Sequence, residues 1–380
     1  MRILLVGEYS RLHNSLKEGL IELGHEVVLV GDRDTFKNYP VDVDINNLFL
    51  KKYIPLIIRK VYFKLFKIDL IDYQTIYKFK KALPELKNFD VVQLINEDVL
   101  SIHPQFQFKL LDVLFKQNNN SFLLCCGQDY LIISHALKNE LKYSILTPYL
   151  NNSKLKKRYH YSLKYTSTAY QKLHSFLKNR VNGVIATDID YHIPYLKKDN
   201  YLGLIPNPIN IDKITYKSIE IVDKIKIFHG VNMSSATQKG NIYFEKALDI
   251  ISQKYPEKVY IITTHSIPYN EYIKLYDECH ILLDQVYAYD QGYNALEAMA
   301  KGKVVFTGAE QEWLDYYNLK EDTVAINALP NVEKIVEKLE WLILNPLKII
   351  EISKNARAFI EKEHNYKKIA QTYLETWIKN

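Results

Sequence analysis

Short apolar runs rich in β-branched residues alternate along this chain with stretches of helical period, and the alternation starts again after Pro206-Asn207-Pro208. Such a pattern demands a parallel sheet, because parallel neighbours need crossover connections that lay helices on its faces. The first unit reads as a strand over Arg2–Val6, a loop at Gly7-Glu8-Tyr9-Ser10, and a helix with Leu12, Leu16, Leu20 and Leu23 on one face. It stops at Gly24 and is followed by a strand over Val27–Val30. Further strands are expected at Asp90–Ile95, Ser121–Cys126, Gly183–Thr187 and Tyr201–Ile205. Two prolines one residue apart fit neither a helix interior nor a central strand, so the chain turns there. The pattern then resumes with strands at Lys224–Phe228, Val259–Thr263, Ile281–Leu283 and Lys303–Thr307. Helices begin near Asn241 and Tyr269 and run through Ala295–Ala300, Val332–Leu344, Leu347–Glu361 and Tyr366–Ile378. The expected fold class is α/β, with two Rossmann-like domains facing each other across a cleft. They would span 1–206 and 207–362, and a helix in 363–380 would cross back to the first. Ligands of open α/β sheets lie beyond the carboxyl ends of the strands, which makes that cleft the expected site.

Composition narrows the class. Of 380 residues, 47% are apolar, enough for packed cores, and 25% are charged. No apolar run approaches the roughly 20 residues needed to span a bilayer. Gly7 and Glu8 interrupt the first apolar run too early for a signal peptide. Cys125, Cys126 and Cys279 suit neither a disulfide framework nor a metal site, so a cytoplasmic protein is expected. The net charge of +6 is uneven: residues 1–200 hold 29 Lys+Arg against 20 Asp+Glu, and residues 201–380 hold 21 against 24. A basic front half points to an anionic partner such as a lipid headgroup, an acidic saccharide or a nucleic acid. Residues 51–67 interleave six cations with Tyr, Phe, Leu and Ile, and no acid appears before Asp69. An interfacial helix on anionic lipid has this pattern, and so does a domain helix with snorkelling lysines.

The segment from Asp284 to Val305 carries the most chemistry. It reads as a strand end, a loop with Gly292, and a helix with Glu297 in its early turns. Free amides at such a helix N-terminus favour phosphate, and Glu297 is placed to accept hydrogen bonds from sugar hydroxyls. The run Gly-Tyr-Asn-Ala-Leu-Glu-Ala-Met-Ala-Lys-Gly-Lys-Val-Val (292–305) resembles the donor-site motif of family 4 retaining glycosyltransferases of the GT-B fold. Asp284-Gln285 resembles the pair that precedes it in one branch. Ile205-Pro206-Asn207-Pro208 resembles the family's interdomain turn, and Phe228-His229-Gly230 with Lys239-Gly240 resembles its phosphate-binding strand and Lys-Gly pair. These matches lie in register over residues 205–310; the N-terminal half follows only the general pattern.

The resemblance implies a nucleotide-sugar donor, no other cofactor, no metal, and a saccharide or lipid-linked acceptor in surface polysaccharide synthesis. Glu297 would bind the donor ribose, and Gly292, Tyr293 and Asn294 would present amides to the diphosphate or sugar. Lys239 would neutralise the leaving diphosphate, a role that charge development in the transition state also requires. Gly230, Asn232, Gly240 and His265 complete the donor side, with His265 near the base or sugar. The family's first Glu falls on Tyr289 here, so either Asp290 replaces it or Gln291 supplies a neutral hydrogen bond. Val231-Asn232-Met233 stands where an Arg usually follows the phosphate-loop glycine. In the first half, loops after strands should face the cleft, which nominates Glu8, Asn96, Glu97 and His103 on the acceptor side. Asp129 occupies the loop where relatives often carry a His, and is grouped with Asp290 and Glu297 as catalytic; a helix cap is its alternative role.

Other chemistries lack their motifs. There is no P-loop, no Gly-x-Gly-x-x-Gly after the first strand, and no zinc-type His/Cys spacing. Asp188-Ile189-Asp190 matches a metal-binding motif of another transferase fold by chance. No nucleic-acid module is present, so nucleic acid ranks last among partners. A GT-B sugar-nucleotide epimerase and a non-catalytic GT-B saccharide- or partner-binding protein are the rival readings. The expectation is a metal-independent, retaining hexosyltransferase, peripheral at the inner membrane face.

Overall fold

The computed structural model describes residues 1–33 and 38–380, apart from the side chains of Tyr269 and Asn270. The chain divides into two compact units. The first holds residues 1–135, 160–208 and 366–380, and the second holds 136–159 and 209–365.

The first unit is built on a seven-stranded sheet: β1 (Arg2–Val6), β2 (Glu26–Gly31), β3 (Val43–Asp44), β4 (Val91–Leu94), β5 (Asn120–Cys125), β6 (Gly183–Ala186) and β7 (Tyr201–Leu204). Their spatial order is β3-β2-β1-β4-β5-β6-β7, and every pairing is parallel. All four residues of β4 and of β6 are buried, as a sheet covered on both faces requires. The terminal helix Tyr366–Lys379 belongs to this unit and packs on the helix Leu12–Glu22. Buried Trp377 donates its Nε1–H to Gln93 Oε1 at 3.2 Å, and the Tyr366 hydroxyl donates to Glu22 at 2.6 Å.

The second unit has a five-stranded parallel sheet: β8 (Ile225–Val231), β9 (Val259–His265), β10 (Ile281–Leu283), β11 (Val304–Thr307) and β12 (Ile326–Asn327). The order is β12-β11-β10-β8-β9. Ile227, Ile281, Leu283, Val304 and Phe306 on the strands meet Phe244, Leu248, Ile335 and Leu339 from the helices, all buried. Each such side chain contributes about 1.5–3 kcal/mol through apolar burial.

Three differences from the sequence expectation have physical causes. The edge strands β3 and β12 are two residues long, too short for a periodicity to register. β8 continues past Phe228 through Val231 because it pairs with β9 as far as His265, so His229, Gly230 and His265 lie on strands rather than loops. Residues 136–159 group with the second unit and not with residues 1–135, which changes the charge picture. By units, the first holds 26 Lys+Arg against 20 Asp+Glu, and the second 24 against 24.

The 51–67 segment is two helices, Leu48–Tyr53 and Leu56–Phe66, separated at Pro55, and neither contains a buried residue. The domain-helix reading, in which lysine stems cover a buried apolar face, therefore fails. Among the described residues no helix is long and apolar enough to cross a membrane.

Candidate donor site in the second unit

Strand register brings the chemistry of the second unit to one sheet end. Leu283 pairs with His229 on β8 and with Phe306 on β11, so His229, Asp284 and Thr307 share the carboxyl edge. His229 is fully buried, and Asn241 Nδ2 donates to its Nε2 at 2.8 Å. Burial, reinforced by the charges of His265 and Lys239, pushes the ring down to about 4, so it is neutral at pH 7. With Nε2 accepting, Nδ1 carries the hydrogen, and it finds no partner among the described residues. Asp284 Oδ2, Thr307 Oγ1 and Gln291 Oε1 are likewise buried without partners. Buried polar atoms are normally satisfied, so four unpartnered ones in this region mark a place for a polar ligand.

Lys239 sits beside them. It ends the helical turn Ala236–Lys239, and Gly240 follows at φ +71°, where a Cβ would also lie 2.9 Å from Val286 Cβ. The left-handed turn sends the chain into the helix Asn241–Lys254 and holds the Lys239 backbone carbonyl 2.9 Å from the Val286 amide. Lys239 Nζ donates to Asp284 Oδ1 at 2.9 Å, and Asn294 Nδ2 donates to the same oxygen at 3.0 Å. The Tyr272 hydroxyl donates to Asn294 Oδ1 at 3.1 Å, and the Tyr276 hydroxyl to the Asn294 carbonyl at 2.7 Å. Gly230 makes room for this chain, since a Cβ there would lie 2.3 Å from Tyr272 Cε2.

The helix Tyr293–Ala300 starts at Gly292 with no side-chain cap, and a helix N-terminus favours an anion. Glu297 lies one turn after Asn294 on the same face and is half-buried. Burial first, then the Glu297 charge, raises the Tyr276 hydroxyl pKa. Gly292 itself has φ −75°, and a Cβ there would approach only Gln285, at 3.9 Å. Tyr293 is buried.

Asp290 and Gln291 belong to a neighbouring, packed loop. Asp290 accepts the Gln291 amide at 2.6 Å, and Gln291 Nε2 donates to the Gly308 carbonyl at 2.6 Å. Beside it, buried Glu310 accepts Lys142 Nζ at 2.8 Å, Asn327 Nδ2 at 2.8 Å and the Tyr143 hydroxyl. Burial opposes its charge, yet these three bonds hold its pKa below the ordinary value. Tyr289, at the family carboxylate's position, accepts the Lys142 amide at 2.8 Å. Asn232 is exposed and bonded to Ser234, and exposed His265 lies 3.7 Å from Glu245.

In the first unit the residues nominated for the acceptor side are firmly fixed. Glu8 accepts the Asn14 amide at 2.8 Å and its side chain at 2.6 Å. Asn96 donates to the Cys126 carbonyl at 2.9 Å. His103 caps the helix Pro104–Lys116, accepting the Gln105 amide at 3.3 Å. Asp129 caps the helix Tyr130–Leu137 through the Ile132 amide at 2.6 Å, and also accepts the Tyr195 hydroxyl at 3.0 Å. Burial and the Glu97 charge raise its pKa. Buried Glu97 pairs with His174 Nδ1; burial opposes the charged ring, but Glu97 and Asp129 together carry its pKa upward. Glu97, His174 and Tyr195 line a cavity of about 90 Å³ with Lys178, Lys198 and Asn200.

The sequence reading names His229 only inside its motif, without a role, and singles out none of Thr307, Tyr272, Tyr276, Glu310 and His174. His229 and Thr307 were visible as polar residues closing apolar strands, the one available signal.

Residues 234–375 match the family model described as glycosyl transferase-like. Among solved structures, sucrose-phosphate synthase from Thermosynechococcus elongatus superimposes with a TM-score of 0.62 at 15% identity, covering 100% of this chain and 98% of that one. HepE from Anabaena, in complex with UDP and glucose, gives 0.60 at 12%, with 100% of both chains covered. A TarM variant from S. aureus, in complex with fondaparinux, alpha-GlcNAc-glycerol and UDP, gives 0.60 at 10%, with 99% of each covered. No curated protein matches the sequence. The chain thus has the GT-B fold, two Rossmann-like α/β domains, and its second half carries a glycosyl transferase-like domain.

Proposed function

We propose that this protein transfers a sugar from a nucleotide-sugar donor to a saccharide or lipid-linked acceptor, in the manner of the family 4 retaining glycosyltransferases. The observation that carries the reading is the polar cluster at the carboxyl edge of the second sheet. There Lys239 and Asp284 pair beside the unpartnered His229 Nδ1 and Thr307 Oγ1, and Lys239, Asp284 and Thr307 lie inside the stretch that matches the transferase family model. Lys239, the His229 N–H and the amides opening the Tyr293–Ala300 helix suit the diphosphate, which gains charge as it leaves. Neutral His229 can donate its Nδ1–H while carrying no charge of its own. Asp284 Oδ2 and Glu297 suit sugar or ribose hydroxyls. Uridine is the first nucleotide to test, because HepE and TarM were solved with UDP.

The transition state is oxocarbenium-like, the anomeric configuration is retained, and neither metal nor further cofactor takes part. Asp290 is expected to stand in for the family's first carboxylate and Asp129 to orient the acceptor hydroxyl; Glu8, Asn96, Glu97 and His103 support the acceptor half. The product belongs to a surface polysaccharide made at the cytoplasmic side of the membrane. The test is incubation with a panel of radiolabelled nucleotide hexoses and polysaccharide or lipid-extract acceptors. Label transferred together with release of the nucleoside diphosphate, and lost in Lys239→Ala and Glu297→Ala, supports transfer. Full turnover in both variants would show the site assignment to be wrong.

A further inference from the structure

The helices Leu48–Tyr53 and Leu56–Phe66 carry apolar side chains that the fold leaves in solvent. Ile57 is 73% exposed, Leu65 69%, Phe49 62%, Tyr53 61% and Val61 57%. Spacing aligns them: Ile57, Val61 and Leu65 recur every fourth residue and form one edge of the longer helix. Lys60 and Lys64 repeat at the same interval and run along its shoulder. The opposite side faces the protein's own first unit. Arg59 is 14% exposed and pairs with Asp69 at 2.7 Å, and the Tyr62 hydroxyl lies 3.2 Å from the Tyr73 hydroxyl. On the shorter helix the Phe49 and Tyr53 rings lie 4.7 Å apart, with Lys52 Nζ 5.5 Å from the Tyr53 ring.

Charge identifies the occupant. Residues 51–67 hold six cations and no acid, and the whole protein has a net charge of +6. The remainder of the chain sums to zero, 44 Lys+Arg against 44 Asp+Glu, so a charge equal to the whole net excess lies on this apolar segment. A second copy docking here through a symmetric interface would set these cations against their own images. An anionic lipid surface instead meets both properties, taking the apolar edge below the headgroups and the lysines at their level. We propose that this helix pair docks the protein on anionic membrane, with Ile57, Val61 and Leu65 inserted and Lys51, Lys52, Lys60, Lys64 and Lys67 on the phosphates.

Co-sedimentation with vesicles tests this, comparing pure phosphatidylcholine with an equal mixture of phosphatidylcholine and phosphatidylglycerol. The intact protein should sediment with the mixed vesicles and far less with the neutral ones, and raising the salt should weaken binding. Lys60→Gln with Lys64→Gln should lower the partition coefficient about 30-fold, given the usual contribution of each surface cation. Ile57→Ser, Val61→Ser and Leu65→Ser together should remove binding. These side chains face solvent, so the thermal midpoint should not move, and the lysine pair serves as the second variant if it does. Equal sedimentation with both vesicle types, or unchanged binding by the variants, would overturn the proposal. So would a dimer in sedimentation equilibrium that the serine variant dissolves. Binding of UDP to the second unit is a separate readout, so failure here leaves the donor-site reading standing.

Discussion

Lys239→Ala probes the donor site and its support in one change. In the folded protein Nζ lies 2.9 Å from Asp284 Oδ1, and the Asp284 side chain is only 2% exposed. The alanine leaves that carboxylate a single donor, Asn294 Nδ2 at 3.0 Å. Breaking a fully buried pair costs about 3–5 kcal/mol, because the remaining charge is stranded. Lys239 is 34% exposed, so water replaces part of its contribution, and the expected loss falls to about 1–2 kcal/mol. For a domain of roughly 150–250 residues that lowers the melting midpoint by about 2–8 °C. The effect on ligand binding is of similar size. A charge-assisted hydrogen bond to a diphosphate contributes about 1.5–2 kcal/mol, so affinity for UDP should fall about 10- to 30-fold. Asp284→Asn provides the contrast: the amide oxygen still serves Asn294, while Lys239 is released from a competing carboxylate, so UDP affinity should hold or rise. Calorimetric titration of UDP into the three proteins reads both effects. Lys239→Ala binding UDP as the parent does, with its midpoint already lowered, would refute the assignment of Lys239 to the phosphate.

Other outcomes follow from the same geometry. Gly230→Ala places a methyl 2.3 Å from Tyr272 Cε2; the clash should cost about 1–3 kcal/mol and weaken UDP binding through Asn294, both measurable in one thermal-shift series. His229 has a folded pKa near 4 against 6.5 unfolded, so the unfolded chain binds the extra proton first as pH falls. Its contribution is complete above pH 6.5 and should shrink by about 2 kcal/mol by pH 5, a share of the acid sensitivity that His229→Gln should abolish in denaturant titrations. Glu310 has a depressed folded pKa, so its stabilisation is present above the unfolded value of 4.5 and lost as pH falls through the folded one. Glu310→Gln should therefore lower the midpoint at pH 7, and the gap to the parent should close towards pH 3. Chelation with EDTA should leave UDP affinity unchanged, as the metal-free reading requires.

The α/β fold was legible because fully buried parallel strands leave long apolar runs that stand out against helical periodicity. Turning points such as Gly24 and the Pro206-Asn207-Pro208 turn are residues whose backbone preferences act locally. The two-residue strands β3 and β12 were not legible, since pairing partners alone define them. At the site, the motif around Glu297 and the Lys-Gly pair could be read in one dimension. The Asp284 contacts with Lys239 and Asn294 could not, because they span 45 and 10 residues of chain and depend on strand register. The same holds for Glu310, which gathers Lys142 and Tyr143 from a segment whose unit only the contacts reveal. The basic stretch between Glu140 and Asp188 looked like a surface for anions. Much of it is already answered within the fold: Lys164 pairs with Asp98 at 2.7 Å and Arg180 with Asp112 at 2.5 Å. Residues 51–67 hold six cations with no acid among them, on helices without a buried residue.

The central claim is that the second unit binds a nucleotide-sugar donor through Lys239, His229 and the helix bearing Glu297. Calorimetric titration with UDP, ADP and GDP, each in the presence of EDTA, tests it most directly. Saturable binding of one nucleotide, weakened at least tenfold in Glu297→Ala and Lys239→Ala, is the result expected. No heat with any of the three from folded protein, or binding indifferent to both substitutions, would contradict it.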